Sequence, residues 1–303
     1  MLGFLNIYKP GGLTSHDVVS RVRRLTGIRR VGHAGTLDPM AEGVLPIALG
    51  QACRLIRFLP TGKTYLAEIL LGKRTDTDDI EGTTLQEHTG ALPSLNALAQ
   101  QLLAFSGSVE QRPPLYSALK YKGERLYDIA RRGGETPPVK VRQVQLFQTD
   151  LLSYTPPTMK LRIACSAGTY IRSIARDLGE KLGVGGCLAA LIREESCALR
   201  SADSITIEQL AEHKAAGTLA SLVVPPEELL RQAGLVCLHI DASEQQRLTF
   251  GQRIACCERS LGPEQNRLYL VSGASSFLAI CSRIENQLKP EVVIDSAEVQ
   301  AVR

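Results

Sequence analysis

Asp38 is the carboxylate whose setting best suits it to chemistry. It lies in Gly32-His33-Ala34-Gly35-Thr36-Leu37-Asp38-Pro39-Met40-Ala41-Glu42-Gly43, which runs on into the apolar stretch Val44 to Leu49. Glycines let a backbone approach a ligand closely, and Pro39 pushes the aspartate before it out of the helical region into an extended conformation. The stretch therefore reads as a stiff loop that presents a carboxylate where irregular chain meets the core, a common station for catalytic groups. An isolated Asp-Pro is ordinarily a cap or turn former, and the glycines, His33 and basic flanks weigh against that reading here. Arg172, at the head of a predicted helix and off its apolar stripe, suits binding an anion or keeping a desolvated carboxylate ionised. Sequence spacing does not bring Arg172 to Asp38. Tyr65 falls in a predicted strand, either as a core tyrosine or as a platform on which a base stacks. His33 reads as a structural or phosphate-contacting residue.

These residues need elements to hold them. Leu2 to Tyr8 predicts a strand, ended by the turn Lys9-Pro10-Gly11-Gly12. Thr14 and Ser15 offer an N-cap with Asp17 in the first turn, Val18, Val19, Val22 and Leu25 give the apolar stripe, and Gly27 closes the helix. Lys63 to Gly72 and Val139 to Leu152 predict strands, and Met159, Leu161, Ile163 and Cys165 alternate with polar neighbours. Ser94 heads a helix with Leu95, Leu98, Leu102 and Phe105 on one face. Ile171, Ile174, Ala175, Leu178 and Leu182 mark another, and Thr206 caps a third. Arg112 to Gly134, basic and broken by prolines, predicts an excursion from the fold. From Val236 onward five short strands are expected (236–240, 253–258, 267–272, 277–282 and 292–295), forming a compact β module.

Composition narrows the class. With 303 residues, 44% hydrophobic and 22% charged, the chain suits one large domain and one small one. No run nears the ~18 apolar residues of a membrane helix, and Met1 to Pro10 lacks a signal-peptide core, so a cytoplasmic protein is expected. The eight cysteines show no Cys-x-x-Cys spacing and are read as reduced and mostly buried. Residues 236–303 carry 7 basic and 8 acidic side chains, leaving 28 and 23 for residues 1–235. Residues 1–33 hold six bases against Asp17 alone, and residues 112–142 hold eight against three acids. Two basic segments in a nearly neutral chain suggest a track for a polyanion. Three other motifs fail. Gly62-Lys63-Thr64 lacks the first glycine of a phosphate loop, Asp76-x-Asp78 lacks the register of a calcium loop, and Gly183-Val184-Gly185-Gly186 follows a helix instead of opening one.

The ordered blocks carry a resemblance. LNIYKPGGLTSHDVVSRVRR, GHAGTLDPMAEGVLPIALG, KTYLAEILLGKRTDTDDIEG, PPLYSALKYKGERLYDIARRG and CSAGTYIRSIARDLGEKLG resemble, in order, those of bacterial TruB-type tRNA pseudouridine synthases. The resemblance implies an α+β fold with a mixed, largely antiparallel sheet and flanking helices over residues 1–234, with an RNA-gripping insertion at about 113–134. It implies, more weakly, a PUA-like RNA-binding module over 235–303. Asp38 then becomes the catalytic aspartate, Arg172 its partner, Tyr65 the aromatic beside the target uracil and Leu191 a pocket residue. His33 enters the T loop, and Lys9, Tyr170 and Lys120 join the substrate contacts. Two departures stand out: Tyr8 where the family often has Asp, and Ile192 in the first place of a usual Arg-Arg pair, with Arg193 keeping the second.

The implied reaction isomerises uridine at position 55 in the T arm of tRNA on a flipped-out base. It changes no oxidation state and adds no group, so a carboxylate at the sugar or the ring suffices without metal or cofactor. The enzyme is expected to be a monomer without membrane or obligatory protein partner. Two rival readings are an RNA-folding protein that needs binding more than modification, and a guide-dependent relative inside a ribonucleoprotein.

Overall fold

The computed structural model describes residues 1–117, 119–121, 123–125, 129, 132, 140–255, 267–273 and 278–294. In chain order the first half runs β1 (Gly3–Lys9), α1 (Ser15–Thr26), β2 (Val31–His33), β3 (Glu42–Leu49), β4 (Lys63–Leu71), β5 (Lys73–Thr75), β6 (Thr84–Glu87), α2 (Leu95–Leu102), β7 (Gly107–Gln111), β8 (Lys120–Tyr121) and β9 (Glu124–Arg125). There follow β10 (Arg142–Thr155), β11 (Thr158–Cys165), α3 (Ile171–Lys181), β12 (Gly186–Ser196), β13 (Leu199–Arg200), α4 (Ile207–Ala215) and α5 (Pro226–Gln232). The tail holds β14 (Val236–His239), α6 (Ala242–Thr249), β15 (Ile254–Ala255), β16 (Leu268–Ser272), β17 (Leu278–Ile284) and β18 (Gln287–Ile294).

One mixed sheet of nine strands organises the first 235 residues, in the order β1-β3-β12-β4-β11-β10-β7 with β2 on β3 and β13 on β12. Its pairings are antiparallel except that β12 runs parallel to β3. The alternation of Met159, Leu161, Ile163 and Cys165 buries all four against α2 and α3. Helix α1 starts on a reciprocal capping box between Thr14 and Asp17 and ends at Gly27, whose φ of 73° suits glycine.

Strands β1 and β3 read as unbroken apolar runs because both their faces are covered. Leu5, Ile7, Leu45, Ile47 and Leu49 pack under α1 and α4. Phe4, Val44 and Ala48 face the other way, in a core shared with Leu55, Leu59, Leu229 and Leu230 and with Leu270, Leu278, Ile280, Val292 and Ile294 of the tail.

The tail is a five-stranded sheet, β14-β16-β17-β18-β15. It also contains helix α6, opened by a capping box between Asp241 and Glu244 that the strand-only expectation missed. Of the strand expected at 253–258, Ile254–Ala255 forms β15, Arg253 precedes it, and 256–258 lie outside the described residues. Leu95 was expected on the buried face of α2 and is instead 56% exposed, while Leu98, Leu102 and Phe105 are buried. As the first residue of a helix that ends at Leu102, Leu95 lies at the rim of the contact. Much of the 113–134 excursion lies outside the described residues.

Candidate active site

The loop between β2 and β3 is built to stay where it is. Ala34 donates its N–H to Pro46 O at 2.9 Å, and Ala41 N–H closes a turn onto Asp38 O at 3.1 Å. Ser15, at the head of α1, accepts from Leu37 N–H at 2.9 Å and donates to Leu37 O at 3.1 Å. Leu37 is thereby pinned into the core beside Tyr65, Leu188 and Leu191. Its neighbour Asp38 turns outward with a side chain 35% exposed.

Arg172 meets that carboxylate across 134 residues of sequence. Its Nε lies 2.9 Å from Asp38 Oδ2, and its Nη2 donates to Oδ1 at 3.1 Å, an edge-on ion pair. The same guanidinium donates to Thr77 O and Tyr116 O, both at 3.0 Å, and its Nη1 stands 3.5 Å from Asp79 Oδ2. One turn on, Arg176 binds Asp78 at 2.7 Å and donates to Arg112 O at 2.8 Å. Both arginines are buried, since the acidic turn and the root of the insertion cover the side of α3 that the apolar stripe leaves. Burial raises the Asp78 carboxyl to about 6 against the pull of Arg176. It raises Asp79 as well, opposed by the Thr77 hydroxyl and Arg172. The Asp-rich turn dismissed as a failed calcium loop thus supplies counter-charges. Two adjacent aspartates at 78 and 79 facing two arginines at helical spacing were the available signal.

Tyr65 sits in β4 with only 7% of its surface exposed. Burial raises its hydroxyl pKa, and the adjoining Arg193 guanidinium pulls the other way. Leu191, on β12, is buried in the same cluster. His33 ends β2 half-buried; burial, then the charge of Arg193, lowers its pKa, which favours the neutral imidazole. Tyr170 precedes α3, held through its backbone by a reciprocal pair of hydrogen bonds to the Gln111 side chain at 2.8 and 3.0 Å. Its ring lies 4.7 Å from the Arg142 guanidinium. The backbone of Lys120 runs in β8, and its side chain lies outside the described residues.

Lys9 needs correction. Expected among the substrate contacts, it is fully buried, its ammonium donating to Leu13 O at 2.7 Å, Pro10 O at 2.9 Å and Pro39 O at 3.1 Å. Burial lowers its pKa to about 8. Lys9 therefore braces the residue after Asp38 from behind instead of reaching solvent. The structure pairs Asp38 with Arg172 and sets the adjacent Leu37 in one core cluster with Tyr65 and Leu191, with His33 at the base of the same loop. Tyr8, at the first departure, donates to Glu42 at 3.0 Å. Arg193, the kept half of the altered pair, is buried under the loop. Period two along β12 sets it on the face of Leu191, and that parity was the signal.

Comparison with known proteins agrees with this geometry. Residues 23–171 match the model of the TruB family pseudouridylate synthase N-terminal domain, and residues 172–231 that of the tRNA pseudouridylate synthase B C-terminal domain. The chain is 46% identical over 300 residues to the tRNA pseudouridine synthase B of Acaryochloris marina (strain MBIC 11017), covering 97% of this chain and 99% of that one. With the same enzyme of Microcystis aeruginosa (strain NIES-843 / IAM M-2473) it shares 50% identity over 213 residues, 69% of this chain and 72% of the other. Among solved structures, a chain of a Cbf5-Nop10-Gar1 complex superposes with a TM-score of 0.74 at 25% identity, covering 96% of this chain and 84% of its own. The mixed nine-stranded sheet, the carboxylate loop fixed between its strands and these matches together make the chain a member of the TruB family of pseudouridylate synthases.

Proposed function

We propose that this pseudouridine synthase acts on uridine 55 in the T loop of tRNA, with Asp38 as its nucleophile and the target base flipped out of the stack. The observation that carries the reading is the Asp38–Arg172 ion pair, 2.9 and 3.1 Å, on a loop whose Leu37 lies in the same core cluster as Tyr65 and Leu191. An arginine paired with one side of a carboxylate, here through the Nη2 hydrogen bond, aims it and leaves its exposed side free to attack. The isomerisation breaks C1′–N1, turns the uracil and forms C1′–C5. The C5 proton leaves to solvent, and N1 takes one up. Asp38 serves at C1′ or at the ring, while Tyr65 and Leu191 present an apolar floor for the freed base.

Extrusion of the base costs a few kcal/mol, which stacking and phosphate contacts offset. The basic segments at 1–33 and 112–142, with Lys120, supply those contacts, and neutral His33 and Tyr170 meet the RNA near the extruded nucleotide. The tail sheet is assigned as a PUA-like second RNA contact. The enzyme works as a cytoplasmic monomer without a protein partner; the relatives named above that share its length are tRNA pseudouridine synthases B. Asp38→Asn tests the reading: tritium release from 5-³H-uridine tRNA is expected to vanish while tRNA binding persists. Full turnover by that variant removes Asp38 from the chemistry.

A further inference from the structure

Arg193 has no step in the proposed reaction, yet it is completely buried. A guanidinium withdrawn from water costs several kcal/mol unless it is well partnered. Among the described residues no carboxylate pairs with it. Its partners are carbonyls of the segment that carries Asp38: Nη2 donates to Gly35 O at 3.0 Å, Nη1 to Thr36 O at 3.3 Å and Nε to Val44 O at 2.7 Å. It thus grips the entrance of the loop and the strand at its exit with one rigid fork.

The register of the sheet gives that grip a second end. The backbone of Arg193 pairs with Gly43 of β3 on one side and with Tyr65 of β4 on the other. On the β3 side the approach is so close that a Cβ at Gly43, where φ is 102°, would stand 2.3 Å from Arg193 O. Ser15 and Lys9 tie Leu37 and Pro39 back to α1 and the turn before it. Arg193 ties the loop to the strand next to Tyr65.

We propose that Arg193 is a positioning residue for the isomerisation, fixing the Asp38 loop relative to Tyr65 so that carboxylate and aromatic ring address the base from a set separation. This rests on the roles given above to Asp38 and Tyr65. Lysine at this position keeps the charge and has one compact head where three separately aimed N–H groups are needed, so the loop can shift by a fraction of an ångström.

Arg193→Lys, Arg193→Met, Asp38→Asn and the unaltered protein are compared in single-turnover tritium release at saturating tRNA, with tRNA affinity measured by filter binding. The expected result is a rate about 100-fold lower for Arg193→Lys, and at least as low for Arg193→Met, with affinity within about threefold, because a small misplacement of a reacting group acts on the chemical step. A wild-type rate in Arg193→Lys, or a loss confined to affinity, overturns the proposal. Should Arg193→Met fail to fold, Arg193→Lys alone decides. Should the unaltered protein bind tRNA and release no tritium, or Asp38→Asn turn over fully, it is the functional reading that fails.

Discussion

At the scale of single residues the cleft is a problem in charge placement. The Asp38 side chain is 35% exposed, and Arg172 offers it one edge while Thr77 O, Tyr116 O and Asp79 occupy the rest of the guanidinium. His33 is the opposite case, a titratable group held neutral. Burial and the nearby Arg193 depress its folded pKa below the unfolded value of about 6.5. In the window between those two values the unfolded chain binds more protons, so stability rises with pH there and is lost as pH falls. Relative to His33→Gln, the wild-type protein should lose unfolding temperature on going from pH 7.5 to 5.5, and the gap between the two should level off about one pH unit above 6.5. Parallel curves for the two proteins would show that His33 titrates normally. Asp38, Tyr65 and Arg172 were legible because each lies in a distinctive block of sequence. Their convergence was not, since spacing says nothing about which elements share a sheet. Lys9 was placed among the substrate contacts, and Arg193 was given no role, for a different reason: their partners are main-chain carbonyls, which any sequence supplies.

At the scale of elements, the loop of Asp38 is fastened by α1, β1 and β12, and the root of the insertion after β7 meets α3 through the carbonyls of Arg112 and Tyr116, accepting from Arg176 and Arg172. The basic side chains beyond that root have long-range electrostatic work to do. Lys120→Gln should weaken tRNA binding about equally across tRNA sequences and lower the slope of log affinity against log salt by about one, with the saturating rate unchanged. An unaltered slope would take Lys120 off the RNA. Regular elements with clean periodicity, β11 and α1 above all, were readable from sequence to within a residue or two. Helix α6 was not, because Ala242 to Thr249 carries a single buried leucine, Leu248, and no apolar stripe; its capping box was the overlooked sign.

At the scale of the molecule, the chain divides less cleanly than its charge does. The near-neutral tail was expected as a separate module beyond residue 234. Its apolar side chains Leu270, Leu278, Ile280, Val292 and Ile294 complete the core that also contains Phe4, Val44 and Leu55. Each such side chain contributes roughly 1.5–3 kcal/mol when fully buried, so removing the tail uncovers more than the main body can spare. A chain ending at Gly234 should therefore unfold at a lower temperature and bind a hydrophobic dye, in addition to any loss of RNA affinity. An unchanged midpoint would mean that the two sheets are independent.

Strand β1 gives this a consequence in time. Made before its partners, Gly3–Lys9 pairs with β3, but Phe4 also bridges Val224 and Ile7 bridges Ile205, and the core around Phe4 awaits Leu270, Leu278, Ile280, Val292 and Ile294. Contacts this distant in sequence form slowly and leave apolar surface bare in the meantime. Strand β1 is therefore enclosed only after β16, β17 and β18 have followed it out of the ribosome, so the backing of the Asp38 loop is finished by the tail sheet.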